Sequence, residues 1–215
     1  MNLSRMFASG FNTVNDFPTP LIAHEPLMER ETLDPENVFV VHGFLSPEEC
    51  GQLIARSEGI GYVAAAVGGE LVPQLRNNAR AFLEDAALAA DLWQRLAPVL
   101  PASRADWDAC GLHERFRFYR YDTAEQFAPH LDGCVSRDNG EESKLTFMIY
   151  LSDVDEGGET VFFAPGSDQQ RFAVRPVAGK ALAFEHLQLH AGASVVRGRK
   201  YVLRTDVMYR PREKK

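Results

Sequence analysis

The chain has 215 residues, of which 45% are hydrophobic and 25% are charged, as in an ordinary globular domain with a sizeable core. Its formal net charge of −7 and its pI of about 5.4 argue against nucleic acid as the main partner, because a phosphate backbone requires a basic surface. The sequence has no apolar run of about 18 residues, so we expect no membrane span.

The N-terminal segment and the cysteines bear on location and domain organisation. Residues 1–36 are rich in Pro, Asn, Thr and Ser, and we interpret them as an arm with a short strand near residues 20–23. They lack the apolar core of a secretory signal. The three scattered cysteines do not form a disulfide framework, which favours a reducing compartment. We therefore expect a cytoplasmic protein with one domain over residues 37–215; its oligomeric state is not indicated.

The first regular elements are predicted between residues 36 and 60. The β-branched and aromatic run over residues 36–44 is typical of a strand. Ser46 then has the position of a helix N-cap, with Pro47 as the first helical residue and Glu49 completing a capping box. Gly59 is expected to end this helix.

The next stretch predicts a turn, a helix and a loop. Gly68 and Gly69 indicate a turn between two short strands. A helix is predicted over residues 82–98, packed along the back of the core, because apolar residues recur there at helical spacing: Leu88, Leu92, Trp93 and Leu96. Residues 104–114 show no periodicity and are interpreted as a loop.

From residue 114 onward the pattern is that of strands. Phe116 and Phe118 alternate with Tyr119 and Tyr121, so the two pairs should lie on opposite faces of one strand. Further strand-like runs follow, at residues 144–154, on both sides of a hairpin within 163–179, at 180–192 and at 201–209. Many short strands after one or two helices predict a mainly β fold with flanking helices, whose core is a double-stranded β-helix of the jelly-roll or cupin-like kind.

Three potential metal ligands occur in this strand-rich part: His130, Asp132 and His190. Residues two apart on a strand point to the same face, so His130 and Asp132 can reach one point in space. A second imidazole, from His190 on a neighbouring strand, would complete a set of two histidines and one carboxylate, the ligand set of non-haem Fe(II) oxygenases. His186 would face inward on a straight strand, and we expect it beside the ligands or on the substrate side.

Two basic residues follow on the last predicted strand. Lys200 lies ten residues after His190, and Arg204 lies on the same face of that strand. A cation buried beside an iron site requires an anion, which a dicarboxylate co-substrate would supply.

In order and spacing these residues resemble the prolyl 4-hydroxylase-like branch of the 2-oxoglutarate- and Fe(II)-dependent dioxygenases. That branch has Y-x8-H-x-D, then YLxxVxxGGET, then H-x-G with a Lys about ten residues further on. Here the pattern reads Tyr121, His130 and Asp132, then YLSDVDEGGETVF at 150–162, then His190 and Lys200. The resemblance covers roughly residues 37–210, with the metal and co-substrate motifs within 114–210.

The resemblance implies a hydroxylase that acts on an unactivated C–H bond and releases succinate and CO2. His130, Asp132 and His190 would hold Fe(II), with 2-oxoglutarate and O2 as co-substrates and ascorbate in support. The presence of Asp132 favours hydroxylation over halogenation, because the related halogenases lack this carboxylate.

The same resemblance implies roles in binding 2-oxoglutarate. Lys200 would pair with the far carboxylate of 2-oxoglutarate, and Thr160 and Tyr121 would hydrogen-bond it; a buried core tyrosine is the other interpretation of Tyr121. Arg204 lies where other branches of the superfamily place their basic residue, so both cations could contact the co-substrate. Lys200 is preferred because the Gly198-x-Lys200-aromatic pattern fits the branch.

Substrate contacts are less specific. Arg76 and Arg80 fall where the family has a mobile segment beside the substrate opening, so substrate contact and ordinary helix capping are both open. The substrate itself is also open between a peptidyl proline, another protein side chain, and a free amino acid or other small molecule. No separate peptide-binding domain is visible in 215 residues.

Two interpretations of another class compete with the oxygenase. A catalytically silent cupin-like binding protein would keep the barrel, but the intact triad and Lys200 argue against it. A zinc-dependent hydrolase could use the same three ligands, but Lys200 and the GGET sequence would have no role in it.

Overall fold

The computed structural model describes residues 28–34, 37–66, 68–101 and 103–212. The strand predicted near residues 20–23 and most of the predicted arm lie outside these ranges. Residues 29–34, which are expected from the sequence to belong to the arm, form a strand that pairs antiparallel with residues 38–42. Regular structure therefore begins before residue 37.

The described residues form two α-helices, one short 3-10 helix and sixteen strands. The helices are α1 (Pro47–Ile60), α2 (Ala86–Leu96) and the 3-10 helix Ala97–Val99. The strands are β1 (Glu29–Asp34), β2 (Val38–His42), β3 (Val63–Ala64), β4 (Ala79–Glu84), β5 (Ser103–Arg104), β6 (Trp107–Leu112), β7 (Arg115–Tyr121), β8 (Phe127–His130), β9 (Glu142–Tyr150), β10 (Glu156–Gly157), β11 (Thr160–Phe163), β12 (Gln170–Val174), β13 (Ala181–Glu185), β14 (His190–Gly192), β15 (Val195–Arg197) and β16 (Lys200–Pro211). Neither described helix combines the length and the apolar character needed to span a bilayer.

The strands form two main antiparallel sheets. The larger sheet has the order β1-β2-β13-β9-β16-β7-β4-β3, with β6 also paired to β16 and β5 paired to β6. The smaller sheet has the order β12-β11-β14-β8, and β10 pairs separately with β15. The mainly β fold with two flanking helices is thus confirmed.

The larger sheet is buried on both faces, as the alternation of its side chains requires. In β2, Phe39 and Val41 pack in a cluster that also contains residues of both helices, whereas Val38 and Val40 pack in a second cluster with residues of the smaller sheet. The alternation predicted for β7 is confirmed in the same way: Phe116 and Phe118 lie in the first cluster, and Tyr119 and Tyr121 lie in the second. The second cluster lies between the sheets and surrounds the candidate site.

The helices cover the outer face of the larger sheet. Helix α1 begins at Pro47 as predicted, because Ser46 Oγ accepts a hydrogen bond from the Glu49 amide and Glu49 Oε2 accepts one from the Ser46 amide. It ends at Ile60 with Gly61 as C-cap, two residues beyond the predicted stop. In α2, Leu88, Leu92 and Leu96 are buried against the sheet as predicted.

Two predicted elements were wrong. The helix predicted from residue 82 begins at Ala86, because residues 79–84 form β4 and pair with β7. Most of the predicted loop at 104–114 belongs to β6, which pairs with β16. Both strands depend on partners distant in the sequence, and their own residues show little period-two pattern.

Candidate active site

The three predicted metal ligands converge between the two sheets. His130 ends β8 and His190 begins β14, and the two residues face each other across this strand pair. Asp132 follows β8 by two residues, so its carboxylate reaches both rings: Oδ1 lies 3.7 Å from His130 Nε2 and Oδ2 lies 3.7 Å from His190 Nε2. Among the described residues these three form a group whose ligand atoms all lie within 4.8 Å of one another.

Both imidazoles are oriented by backbone carbonyls. His130 Nδ1 lies 2.9 Å from the carbonyl oxygen of Ala128, and His190 Nδ1 lies 2.9 Å from that of Gln188. A ring nitrogen in this position donates its hydrogen to the carbonyl, so Nε2 keeps its lone pair for a metal. Burial lowers the pKa of His130 to about 4 and also lowers that of His190, so both rings are neutral at pH 7.

Asp132 is held as a carboxylate by two neighbours. Thr146 Oγ1 donates to Oδ2 at 2.6 Å, and Arg204 Nη1 lies 2.7 Å from Oδ1. Burial alone would raise the pKa of Asp132, but the positive charge of Arg204 lowers it, and the value is about 2. Asp132 is therefore an anion throughout the physiological range.

His186 stands behind this carboxylate. Its Nδ1 lies 3.0 Å from Thr146 Oγ1, and its Nε2 lies 2.8 Å from Ser143 Oγ. The side chain is buried and is not among the residues that line the cavity. We expected His186 either beside the ligands or on the substrate side, and the structure places it beside the ligands. Sequence reasoning missed Ser143 and Thr146, although Thr146 is a polar residue within the apolar strand β9.

Lys200, Tyr121 and Thr160 line the same cavity as the triad. Lys200 is only 2% exposed, and its Nζ donates to the carbonyl oxygen of Gly158 at 2.7 Å. Within the described part of the chain it makes no ion pair with a carboxylate, and burial lowers its pKa from 10.5 to about 7. The Thr160 hydroxyl accepts a hydrogen bond from Tyr150 at 2.7 Å, and burial raises the pKa of Tyr121 to about 12.

The GGET sequence has a backbone role beside Lys200. Gly157 and Gly158 have φ angles of +78° and +75°, which residues with a Cβ atom rarely adopt. A Cβ on Gly157 would lie 2.4 Å from the Ser194 carbonyl oxygen. Close packing against residues 194–196 thus determines the path of this segment, and the Gly158 carbonyl points to Lys200 as a result.

The two cations of β16 occupy different parts of the cavity. Lys200, Val202 and Arg204 share its inner face, as alternation predicts. Arg204 is engaged with Asp132, and its Nη2 lies 3.6 Å from Asp206 Oδ1. Of the two cations, Lys200 is therefore the one without a carboxylate partner among the described residues.

The two predicted substrate arginines differ in position. Arg76 is buried, and its guanidinium carbon lies 4.4 Å from the ring centroid of Tyr119 and 4.2 Å from that of Phe127, two rings that line the cavity. Arg80 lies on β4 and donates to the carbonyl oxygen of Ala66 at 3.1 Å. Neither arginine caps a helix in the structure, since Asp85 caps α2.

The donor set fits Fe(II) and a dicarboxylate. Two neutral imidazoles and one carboxylate are the ligands of non-haem iron oxygenases and leave coordination positions open. Lys200 offers the charge that a dicarboxylate would neutralise, in the same cavity but on β16 of the larger sheet.

Comparisons with known proteins agree with this geometry. Residues 116–205 match the family model of the 2OG-Fe(II) oxygenase superfamily. Two Arabidopsis thaliana proteins are similar: probable prolyl 4-hydroxylase 3 is 28% identical over 197 residues, covering 76% of this chain and 66% of the relative. Probable prolyl 4-hydroxylase 7 is 29% identical and covers 76% of this chain and 60% of the relative. The chain thus spans somewhat less than two thirds of these relatives.

Solved structures share the fold. The viral collagen prolyl hydroxylase of Paramecium Bursaria Chlorella virus-1, in a 2OG complex, superposes with a TM-score of 0.58 at 21% identity, over 80% of this chain and 96% of that one. A Trichoplax adhaerens prolyl hydroxylase, in complex with a peptide of a hypoxia inducible factor, gives 0.60 at 14% identity, over 80% of this chain and 83% of that one. The double-stranded β-helix core is thereby confirmed. The resemblance of this chain to the 2OG-Fe(II) oxygenase superfamily, and within it to the prolyl 4-hydroxylases, is confirmed with it.

Proposed function

We propose that the protein is a 2-oxoglutarate- and Fe(II)-dependent dioxygenase that hydroxylates an unactivated C–H bond of a prolyl or related substrate, with release of succinate and CO2. One observation carries the proposal. A triad of two neutral histidines and one carboxylate lines the same cavity as Lys200, a buried cation without a carboxylate partner in the described structure.

The triad would hold the metal. His130 and His190 would bind through Nε2, since their Nδ1 atoms face carbonyl oxygens. Asp132 would bind as a carboxylate, oriented by Thr146. When bound, Fe(II) with 2-oxoglutarate and O2 supplies the oxidising power that no protein side chain has.

Lys200 would bind the far carboxylate of 2-oxoglutarate as an ammonium ion. The hydroxyls of Tyr121 and Thr160 line the same cavity and would donate or accept the remaining hydrogen bonds. Glu159 is the acidic group that acts on Lys200 through its charge, and it does not offset the effect of burial on the lysine. An incoming carboxylate would therefore stabilise the charged lysine.

Apolar side chains would keep water from the reacting atoms. Phe127 stacks on the His130 ring with 3.5 Å between centroids, and Phe184 packs against the His190 ring at 4.5 Å. Met148 and Val202 complete the apolar part of the wall. A dry cavity strengthens the electrostatic interactions of the bound groups.

The substrate class comes from the relatives. The Arabidopsis proteins are named prolyl 4-hydroxylases, and the Trichoplax structure contains a peptide. We propose the same chemistry here on a proline or related residue, either within a peptide or as a free small molecule.

The test is succinate formation by purified protein with Fe(II), 2-oxoglutarate and ascorbate. We expect slow turnover even without substrate, its loss in Asp132→Ala and its retention in Asp108→Ala, which removes a carboxylate from the surface. Under anaerobic conditions the Fe(II) protein should gain a 2-oxoglutarate-dependent absorption band. Absence of both turnover and band would refute the proposal and favour a silent binding protein.

A further inference from the structure

Arg76 is a second buried cation beside the cavity. Its side chain lies between the rings of Tyr119 and Phe127, and the residue is only 7% exposed. Its Nε donates to Asn78 Oδ1 at 2.7 Å, but its Nη2 has no hydrogen-bond partner among the described residues. Within the same ranges no carboxylate forms an ion pair with it. Because a buried charge is costly unless it is paired, this position calls for an anion.

The position of Arg76 is built into the sheet. Arg76 forms an antiparallel bridge with Phe127, and the Ala128 amide donates to the Leu75 carbonyl at 2.7 Å. These contacts fix residues 75–77 against β8, the strand that carries His130. The guanidinium group is therefore held by backbone hydrogen bonds and by ring stacking against Phe127, the ring that stacks on His130.

Charges around Tyr119 show that this end of the cavity is electropositive. Burial alone would raise the pKa of the Tyr119 hydroxyl, but Arg204, Arg76 and Arg117 together lower it below its ordinary value. Asp132 pairs with Arg204, and Asp206 pairs with Arg117 and lies 3.6 Å from Arg204, whereas no carboxylate of the described residues pairs with Arg76. Within this group of described residues one positive charge is left over.

This electropositive end is separate from Lys200. Arg204 is four residues beyond Lys200 on β16, about 13 Å at the usual strand rise of about 3.3 Å per residue. Tyr119 and Tyr121 likewise lie two residues apart on β7, with Tyr121 beside the lysine: Lys200 Nζ is 5.1 Å from the centroid of the Tyr121 ring. Lys200 and Arg204 thus line different ends of the cavity, and Arg76 lies behind the lining rings of Tyr119 and Phe127 at the Arg204 end. A co-substrate bound at Lys200 leaves this second end free.

We propose that Arg76, together with Arg204 and Tyr119, forms a second anion subsite that binds a carboxylate of the substrate. The inference rests on the proposed function, because it assigns Lys200 to 2-oxoglutarate. A substrate of this kind is a free acid, such as an amino acid, or a peptide with an acidic residue near the target. A planar guanidinium with a free Nη is suited to a carboxylate.

The test compares acids with their amides on protein loaded with Fe(II) and 2-oxoglutarate under nitrogen. L-amino acids, starting with L-proline, are titrated against the corresponding amides, and a short proline peptide with Glu beside the proline is titrated against its Gln version. Binding is followed by calorimetry and by the change in the 2-oxoglutarate-dependent absorption band. We expect at least one acid to bind about tenfold or more tightly than its amide. If an amino acid binds more tightly than its amide, the substrate is a free acid; if the Glu peptide binds more tightly than the Gln peptide, the substrate is an acidic peptide.

Arg76→Gln should abolish this preference, whereas Arg115→Gln, which removes the same charge from an exposed side chain, should keep it. The melting temperature of the ligand-free Arg76→Met variant should equal or exceed that of the wild type, because an unpaired buried charge has been removed. A clear fall in melting temperature would instead make Arg76 a structural residue and overturn the inference.

Three further results would overturn it: no acid preferred over its amide, a preference that survives Arg76→Gln, or weaker 2-oxoglutarate binding in Arg76→Gln. The last result would assign the arginine to the co-substrate. Failure of the proposed function is distinguishable, since it removes the absorption band from the wild type. The calorimetric comparison of acids with amides does not depend on that band.

Discussion

Arg204 forms an ion pair with Asp132, the one carboxylate of the proposed metal triad. Its Nη1 lies 2.7 Å from Oδ1, the oxygen that is 3.7 Å from His130 Nε2. In the metal-free protein the guanidinium group is the positive charge nearest to this carboxylate in the described structure. A metal ion at the triad would take over part of that role.

Arg204→Met should therefore make stability depend more strongly on metal. Without metal, the variant leaves a buried carboxylate unpaired, which costs about 3–5 kcal/mol. A divalent ion offsets this cost, so the rise in melting temperature on adding Fe(II) or Mn(II) should be larger than in the wild type. Arg117→Met is the control, because it breaks the buried pair with Asp206 without touching the triad. Equal metal-induced shifts in wild type and Arg204→Met would contradict the prediction.

The lowered pKa of Lys200 predicts that 2-oxoglutarate binding depends on pH. Its pKa is about 7 in the ligand-free protein, so the lysine is charged below that pH and neutral above it. Binding a carboxylate requires the charged form. The Kd for 2-oxoglutarate should thus rise above pH 7, by up to about tenfold per pH unit. Titration of the anaerobic absorption band at several pH values measures it.

Lys200→Arg is the matched control for that titration, because a guanidinium stays charged over this range. Its Kd should be nearly constant between about pH 7 and 9, even if the absolute affinity is lower.

The lowered pKa of Lys200 also affects the stability of the ligand-free protein. The unfolded chain binds a proton at Lys200 up to about pH 10.5 and the native protein only up to about 7, so ligand-free stability should increase with pH between these values.

Thr146→Val tests how Asp132 is oriented. The variant removes the hydrogen bond from Thr146 Oγ1 to Oδ2, which is 2.6 Å long, and should lower metal affinity by about 10–100-fold. Thr205→Val is a matched control, since Thr205 is equally buried and donates to the His113 carbonyl oxygen at 2.6 Å, away from the triad. Both variants should lose similar stability, but only Thr146→Val should lose metal affinity by competition with a chelator. A comparable loss in both would show that the effect is not local.

Gly157→Ala should destabilise the protein by more than the strain that a positive φ alone causes at an alanine. Gly140 has a similar φ of +84°, and a Cβ at that position would meet no atom within 4 Å, so Gly140→Ala isolates the backbone cost, about 1–2 kcal/mol. In Gly157→Ala the methyl group would meet the Ser194 carbonyl oxygen at 2.4 Å, and the loss should be about 2 kcal/mol larger. Denaturant unfolding of both variants measures the difference, and equal losses would contradict it.

Sequence signals worked where the cause is local. The start of α1 depends on Ser46, Pro47 and Glu49, which are close together in the chain, so their pattern predicted the start of the helix. The spacing of His130 and Asp132 is likewise local, and the strand period placed Lys200 and Arg204 on one face.

Other features depend on register between distant strands, which one sequence does not reveal. Thr146 and Arg204 both contact Asp132. They come together because β9 pairs with β16 in a register that places Thr146 opposite Asp206, two residues from Arg204. The end of β4 is predicted as helix because residues 82–84, Phe-Leu-Glu, are compatible with both kinds of structure. Pairing with β7 makes it a strand.

The bridge between Arg76 and Phe127 also limits how a substrate would reach the proposed iron ligands. Strand β8 is the last strand of the smaller sheet, so its outer edge would otherwise be open to an added strand. Residues 75–77 already occupy the hydrogen-bonding groups of that edge at Gln126 and Ala128. The backbone of a bound peptide would therefore not extend the smaller sheet at these two residues, so a peptide would have to present its target side chain to the cavity in another way.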